Sequence, residues 1–287
     1  MNVLLTLLAA ATAAIASPTV TTPLGDYAGI EHSTLPVSRF LGIPYAQPPT
    51  GQRRFAPPAP IAEPWSTPFN ATAFGPECIG YGFVTPGVPM SEDCLTVNVW
   101  TPTASIDGTS SNEKLPVVVW IHGGAMIAGG ATSATYDWSN FVAKERVVGV
   151  SLQYRLSGWG FFASEELLAE KSVNVALQDQ REALRWVKKN IAAFGGDPAK
   201  VTIWGESAGA LSVGLHLIGW GGTGDGLFQR AAMSSGGPIP MDSSTSPCSA
   251  AHPRSLISNP SEEHLLLSTT LRRDARGHRL LRSRLSP

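Results

Sequence analysis

The chain has 287 residues, with 21 basic and 22 acidic side chains and a formal net charge of −1, which excludes polyanion binding by bulk charge. At 43% hydrophobic and 15% charged residues it is long and apolar enough to bury a core, which excludes a wholly disordered chain. Its three cysteines and six histidines form no Cys-x-x-Cys or His-x-x-x-His spacing, so neither a metal nor another cofactor is expected.

Taken in chain order, Val3 to Ile15 is apolar and ends in Ala14-Ile15-Ala16, an A-x-A cleavage pattern. Residues 1–16 therefore read as a signal peptide, although the leading residues carry no Lys or Arg. The run is too short and alanine-rich to span a membrane, and no later segment is long and apolar enough. A secreted, extracellular protein without a transmembrane segment is the expectation, and Asn70-Ala71-Thr72 is then a sequon for N-glycosylation. Strand-like runs follow at Val97–Trp100, Val117–Ile121, Val147–Gln153, Val201–Trp204 and Ala231–Ser234, interleaved with helical segments. Between Leu177 and Ile191 the apolar positions Leu177, Leu184, Val187 and Ile191 recur at helical spacing, with Arg181, Lys188 and Lys189 off that stripe. This alternation predicts one α/β domain with a largely parallel twisted sheet flanked by helices. No phosphate-cradling loop with a lysine is present and the aromatic residues are scattered, so nucleic acid is not an expected partner.

Two segments carry chemistry. Phe194 to Gly209, FGGDPAKVTIWGESAG, reads as a strand, a G-x-S-x-G turn centred on Ser207, and a helix opening at Ala208. A serine hydroxyl is a poor nucleophile unless it is exposed, close to a base and faced by dipoles that stabilise the oxyanion. The sharp turn exposes it, and Gly205 and Gly209 are required because side chains there would strike neighbouring backbone. The Ala208 N–H, at the helix N-terminus, points at the developing negative charge. Upstream, Leu115 to Gly124, LPVVVWIHGG, empties a buried strand into His122-Gly123-Gly124-Ala125. Alone, those glycines read as a tight turn; beside Ser207 they read as oxyanion-hole backbone. His122 sits at the mouth of the strand and is expected to orient this loop by a hydrogen bond rather than act as the base.

These segments resemble the type-B carboxylesterase/lipase family of the α/β-hydrolase fold, which includes cholinesterases and fungal lipases. Supporting matches are Phe40–Phe55 (FLGIPYAQPPTGQRRF), Glu92–Pro102 (EDCLTVNVWTP), Gln153–Phe161 (QYRLSGWGF), Asn174–Pro198 (NVALQDQREALRWVKKNIAAFGGDP) and Leu227–Gly236 (LFQRAAMSSG), in the family's order from about Gly25 to Gly237. The resemblance implies hydrolysis of small-molecule or lipid carboxylic esters. It implies Ser207 as the acyl-forming nucleophile and the N–H groups of Gly124, Ala125 and Ala208 as oxyanion donors, with Gly123 beside them. Ala125 stands where most members have a third glycine. Glu206 matches a family position near the site, where a buried structural carboxylate and a direct catalytic role both remain open. Cys78 and Cys94 match the family's first small disulfide loop, which leaves Cys248 over.

The family places the acid and the histidine of its triad far beyond the nucleophile. Here the likeness stops near Gly237, so the α/β-hydrolase is expected to be incomplete after the nucleophile half, with a sheet edge left exposed. The expected organisation is a signal peptide over 1–16, the hydrolase part over 17–240, and a divergent tail over 241–287. That tail holds seven Arg, ten Ser, no Lys and no aromatic residue. It reads as unrelated codons translated past a break rather than as an arm for an anionic surface. Of the histidines after Ser207, His216 is expected to face away, and His252, His264 and His278 have no strand to present them. An inactive or weakly active chain follows from this, with a non-catalytic cholinesterase-like binding protein or a functionless gene fragment as the alternatives. Oligomeric state is not legible.

Overall fold

The computed structural model describes residues 17–82, 85–109 and 113–238, and the backbone of 272–273 and 279–280. The expected leader, the sequence from Ile239 to the end apart from those four residues, Cys248 and the three tail histidines lie outside the described residues. Strands β1 (Thr19–Thr22), β2 (Gly25–Ala28), β3 (Ile30–Glu31) and β4 (Val37–Pro44) come first. They are followed by β5 (Phe69–Asn70), β6 (Glu77–Cys78), β7 (Met90–Ser91), β8 (Thr96–Pro102) and β9 (Leu115–Ile121). After helix α1 (Ser139–Glu145) come β10 (Val148–Leu152), α2 (Ser157–Phe161), α3 (Glu165–Ala169), α4 (Val175–Asn190), β11 (Gly196–Glu206), α5 (Ala208–Ile218) and β12 (Arg230–Ser234). The backbone of 272–273 pairs antiparallel with that of 279–280.

Among the described residues the main sheet runs β12-β11-β9-β10-β8-β4-β3, with β12 at one edge. The four strands β12, β11, β9 and β10 are parallel to one another, while β8, β4 and β3 join antiparallel at the far side. The four parallel strands and the Val97–Trp100 run of antiparallel β8 are the part read from the sequence. The inner strands β9 and β10 are largely buried and rich in β-branched residues, as strands of a parallel sheet covered on both faces are, whereas the edge strand β12 is half-exposed. Alternation along β9 divides the core. Val117, Val119 and Ile121 belong to the cluster with Leu184 and Val187 of α4 and Ile191 just beyond it, and Trp120 to the cluster with Trp138 and Val142 beneath α1.

Helix α4 forms where the apolar spacing predicted it, and Leu177, Leu184, Val187 and Ile191 are buried. Arg181 departs from expectation. It is 1% exposed, its guanidinium lies 4.1 Å from the Trp220 ring centroid, and it pairs with Asp225. A periodicity argument misses this because its partners come from a later loop. A second buried charge pair also involves α4. Arg155 clamps Asp179 through Nε and Nη2 at 2.8 and 2.7 Å, its backbone N–H adds a third bond at 3.1 Å, and Nη1 donates to the Ala56 carbonyl.

Chain order sets the position of the site. From β9 the chain crosses to β10 on one side and then returns through α4 to β11 on the other. The carboxyl ends of β9 and β11 are therefore adjacent at the point where strand order reverses, the usual position for a ligand crevice in an open α/β sheet. Register pairs Gly205 with Ile121, so the residues two further on, Ser207 and Gly123, emerge side by side.

Candidate active site

Ser207 is the residue between β11 and α5, with φ 54° and ψ −120°. Such a conformation costs about 1–3 kcal/mol in a non-glycine residue and persists only where the surroundings impose it. Here its N–H donates to the Ser234 carbonyl at the end of β12 at 3.0 Å, and its carbonyl accepts from Leu211 N–H at 3.0 Å. The two flanking glycines allow the turn by close approach. A Cβ on Gly205 would lie 2.3 Å from the Gly209 carbonyl group, and one on Gly209 would lie 2.0 Å from the Ile121 oxygen. Ser207 is exposed, and among the described residues nothing hydrogen-bonds its hydroxyl.

The loop after β9 packs directly against it. A Cβ placed on Gly123 would sit 3.2 Å from Ser207 Cβ, 2.8 Å from the Glu206 carbonyl oxygen and 3.0 Å from Glu206 Oε2. Gly124, Ala125 and Met126 are all left-handed, at φ 109°, 54° and 62°. The Gly124 carbonyl accepts from the N–H groups of Ile127 and Ala128, both at 3.0 Å, which closes the turn. The N–H groups of Gly124 and Ala125 donate to no acceptor among the described residues, and Ala208 opens α5 across from them. Ala125 carries its Cβ in a conformation that suits glycine. Ala125→Gly is therefore expected to stabilise the protein by about 0.5–1 kcal/mol in urea unfolding, the balance of relieved strain against glycine's entropy.

His122 orients the loop, as expected. Its Nδ1 lies 2.8 Å from the Gly123 carbonyl, its ring stacks on Tyr154 at 4.4 Å, and the Tyr154 hydroxyl donates to the His122 carbonyl at 2.9 Å. Burial pushes its pKa from 6.5 down to about 4, against a smaller opposing pull from the Gly123 carbonyl and Glu77. His216 faces away from Ser207: its Nε2 meets Gln180 Oε1 at 2.8 Å and its ring lies against Trp220. Burial, with Arg181 adding to it, lowers its pKa to about 3. Both imidazoles are neutral in the fold and regain their ordinary affinity for protons on unfolding. The stability they contribute is complete above roughly pH 6.5 and is lost as pH falls toward 4, at up to about 2.7 kcal/mol per pH unit for the pair. Urea unfolding between pH 8 and 4 measures this; a flat profile would contradict it.

Glu206 ends β11 half-buried beside Gly123, and its charge adds to burial in raising the Tyr136 pKa. Cys78 and Cys94 are bonded, S–S 2.04 Å, closing a loop of separation 16 that contributes about 3 kcal/mol by chain entropy. Asn70 is exposed on β5, and its side-chain oxygen accepts from the Thr72 hydroxyl at 2.8 Å. Among the described residues no helix is long and apolar enough to cross a membrane, and no group of three or more His, Cys, Asp or Glu could hold a metal.

Residues the motifs did not flag also shape the site. Ser234 anchors the Ser207 N–H from β12. Buried Glu77, next to the disulfide, accepts from the hydroxyls of Thr85 and Thr132 behind the loop. Their signal is positional, and a motif search cannot see it.

A family model described as the carboxylesterase family matches residues 16–253, past the Gly237 at which the motif likeness stops. Mouse carboxylesterase 1D is 44% identical over 226 residues, covering 74% of this chain and 38% of its own length. Mouse carboxylesterase 1E is 46% identical with the same coverage. Among solved structures, a PNB esterase superposes with TM-score 0.70 at 42% identity, over 78% of this chain and 45% of that one. A Geobacillus stearothermophilus carboxylesterase does so with TM-score 0.67 at 41% identity, over 77% of this chain and 44% of that one. The chain thus spans less than half the length of these relatives. With a strand-to-helix elbow at Ser207, a glycine loop packed against it and these matches, the chain belongs to the carboxylesterase family and has the α/β-hydrolase fold.

Proposed function

We propose that the chain carries the nucleophile half of a carboxylic ester hydrolase acting on small-molecule or lipid esters. Ser207 Oγ attacks the ester carbonyl and the N–H groups of Gly124, Ala125 and Ala208 hold the tetrahedral oxyanion. The C–O bond to the alcohol then breaks, the alcohol leaves with the serine's proton, and water hydrolyses acyl-Ser207 to the acid. The observation that carries this reading is the exposed, left-handed Ser207 with Gly123 packed on its Cβ. Among the described residues neither a histidine nor a carboxylate is hydrogen-bonded to Ser207 Oγ, so the activity of the chain itself is expected to be weak or nil. Oxyanion stabilisation and binding alone give about 10³-fold over water. In the same reading residues 1–16 are a secretory leader, 17–240 the hydrolase part and 241–287 a segment outside it, with Asn70 glycosylated in an extracellular protein.

Hydrolysis of p-nitrophenyl acetate by the full chain tests this. The expected result is at most slow turnover, which Ser207→Ala abolishes; turnover above the uncatalysed rate that Ser207→Ala leaves unchanged would remove Ser207 from the mechanism. The unbonded Ser207 hydroxyl also suits a non-catalytic relative, for which saturable protein binding would accompany equal rates.

A further inference from the structure

The elbow is costly, so something must hold each of its arms. The arm in β11 is fixed by the sheet. The other arm is α5, and besides its packing on the sheet one buried side chain grips it at two successive turns. Gln180, on α4, donates from Nε2 to Ser212 Oγ at 3.1 Å and accepts at Oε1 from His216 Nε2 at 2.8 Å. Ser212 and His216 are four residues apart and so share one face of α5. Gln180, Ser212 and His216 are all 0% exposed. Because one amide grips two successive turns, rotation of α5 breaks both bonds together and leaves buried polar groups unpaired, a cost that neither bond imposes alone. The pairing also fixes chemistry: an amide oxygen can only accept, so His216 carries its proton on Nε2. That nitrogen is then committed to the clamp.

We propose that Gln180 is a positioning residue for Ser207, a rotational clamp on the nucleophile helix, with Ser212 and His216 as its two jaws. The role in reactivity rests on the reading of Ser207 as nucleophile; the clamp itself is measured separately. Gln180→Leu keeps the approximate volume and removes both bonds. Gln180→Glu keeps both, since a carboxylate accepts from the Ser212 hydroxyl and from His216 Nε2–H, and a proton taken up by His216 makes the buried charge one half of an ion pair. Ser212→Ala removes one jaw with little change in volume.

Native-state hydrogen exchange of the full chain reads the clamp, as the exchange rate of the Leu211–Val213 amides relative to Val117–Ile121 of β9. The expected result is an increase of about tenfold or more in Gln180→Leu, about threefold in Ser212→Ala, and little change in Gln180→Glu. If Gln180→Leu does not fold, Ser212→Ala decides alone. An unchanged ratio in the folded variants, or an equal rise in Gln180→Glu, overturns the clamp. Fluorophosphonate labelling of Ser207 reads the consequence, with Gln180→Leu slower than the parent chain and Gln180→Glu close to it. A parent chain that does not label defeats the nucleophile reading and leaves the exchange result to decide the clamp.

Discussion

Gly209→Ala is expected to destabilise the protein by at least about 3 kcal/mol and to dismantle the elbow. Overpacking usually costs about 1–3 kcal/mol because flexible side chains give way. Here the new Cβ would lie 2.0 Å from the Ile121 oxygen and 2.9 Å from the His122 oxygen, and both are backbone. Backbone cannot change rotamer, so α5 must lift away from β9. Lifting it separates Ser207 from the loop at Gly123. Gly158 is the internal control: it lies in α2, and a Cβ there meets nothing within 4 Å. Gly158→Ala is expected to be neutral or stabilising by up to about 1 kcal/mol. Urea unfolding of the two variants decides the matter. A Gly209→Ala protein as stable as the parent would show that the close contact between α5 and β9 does not exist.

The second large effect lies at Arg155 and Asp179. Both side chains are buried, at 4% and 0% exposure, and the guanidinium meets the carboxylate through two bonds. Burial raises the Asp179 pKa, and Arg155 opposes that rise by charge and hydrogen bonding. Arg155→Ala removes the opposing contribution and leaves a buried carboxylate without its cation. A loss of about 3–5 kcal/mol is expected, whereas the intact pair need contribute little net stability over apolar residues of similar size. The double variant Arg155→Leu/Asp179→Leu should therefore be more stable than either single variant. Additive losses in the three proteins would show that the pair is not coupled. The position matters for function, because Arg155 ends the segment that follows β10 and Tyr154, its neighbour, stacks on His122.

How legible this was differs by element. The five strand runs read from Val97 to Ser234 all form. Val117–Ile121, Val147–Gln153 and Val201–Trp204 are the apolar, β-branched runs that a buried parallel strand requires, whereas Val97–Trp100 forms in antiparallel β8 and Ala231–Ser234 in the half-exposed edge strand β12. The roles of Gly205 and Gly209 as points of close approach were equally legible, since a strand-to-helix elbow admits little else. The hydrogen bond of His122 to its own loop followed from its place at a strand mouth. The burial of Arg181 was not legible, because a helical stripe counts apolar residues, and Trp220 and Asp225 lie some forty positions on. For the same reason the grip of Gln180 on α5 and the anchor from Ser234 escaped the sequence: each depends on two elements meeting in space. The antiparallel β4 and β3, and the antiparallel direction of β8, were hidden in the same way, since alternation of strands and helices says nothing of strand direction at a sheet edge.

Whether Ser207 is the nucleophile can be read from a covalent adduct. The full chain is incubated with a fluorophosphonate, digested, and the modified peptide sequenced by mass spectrometry. The result expected is slow labelling confined to Ser207 and absent from Ser207→Ala, since the oxyanion donors stabilise the phosphonylation transition state even where no base is bonded to the serine. Labelling elsewhere, labelling undiminished in Ser207→Ala, or a folded chain that takes up no probe would contradict the assignment.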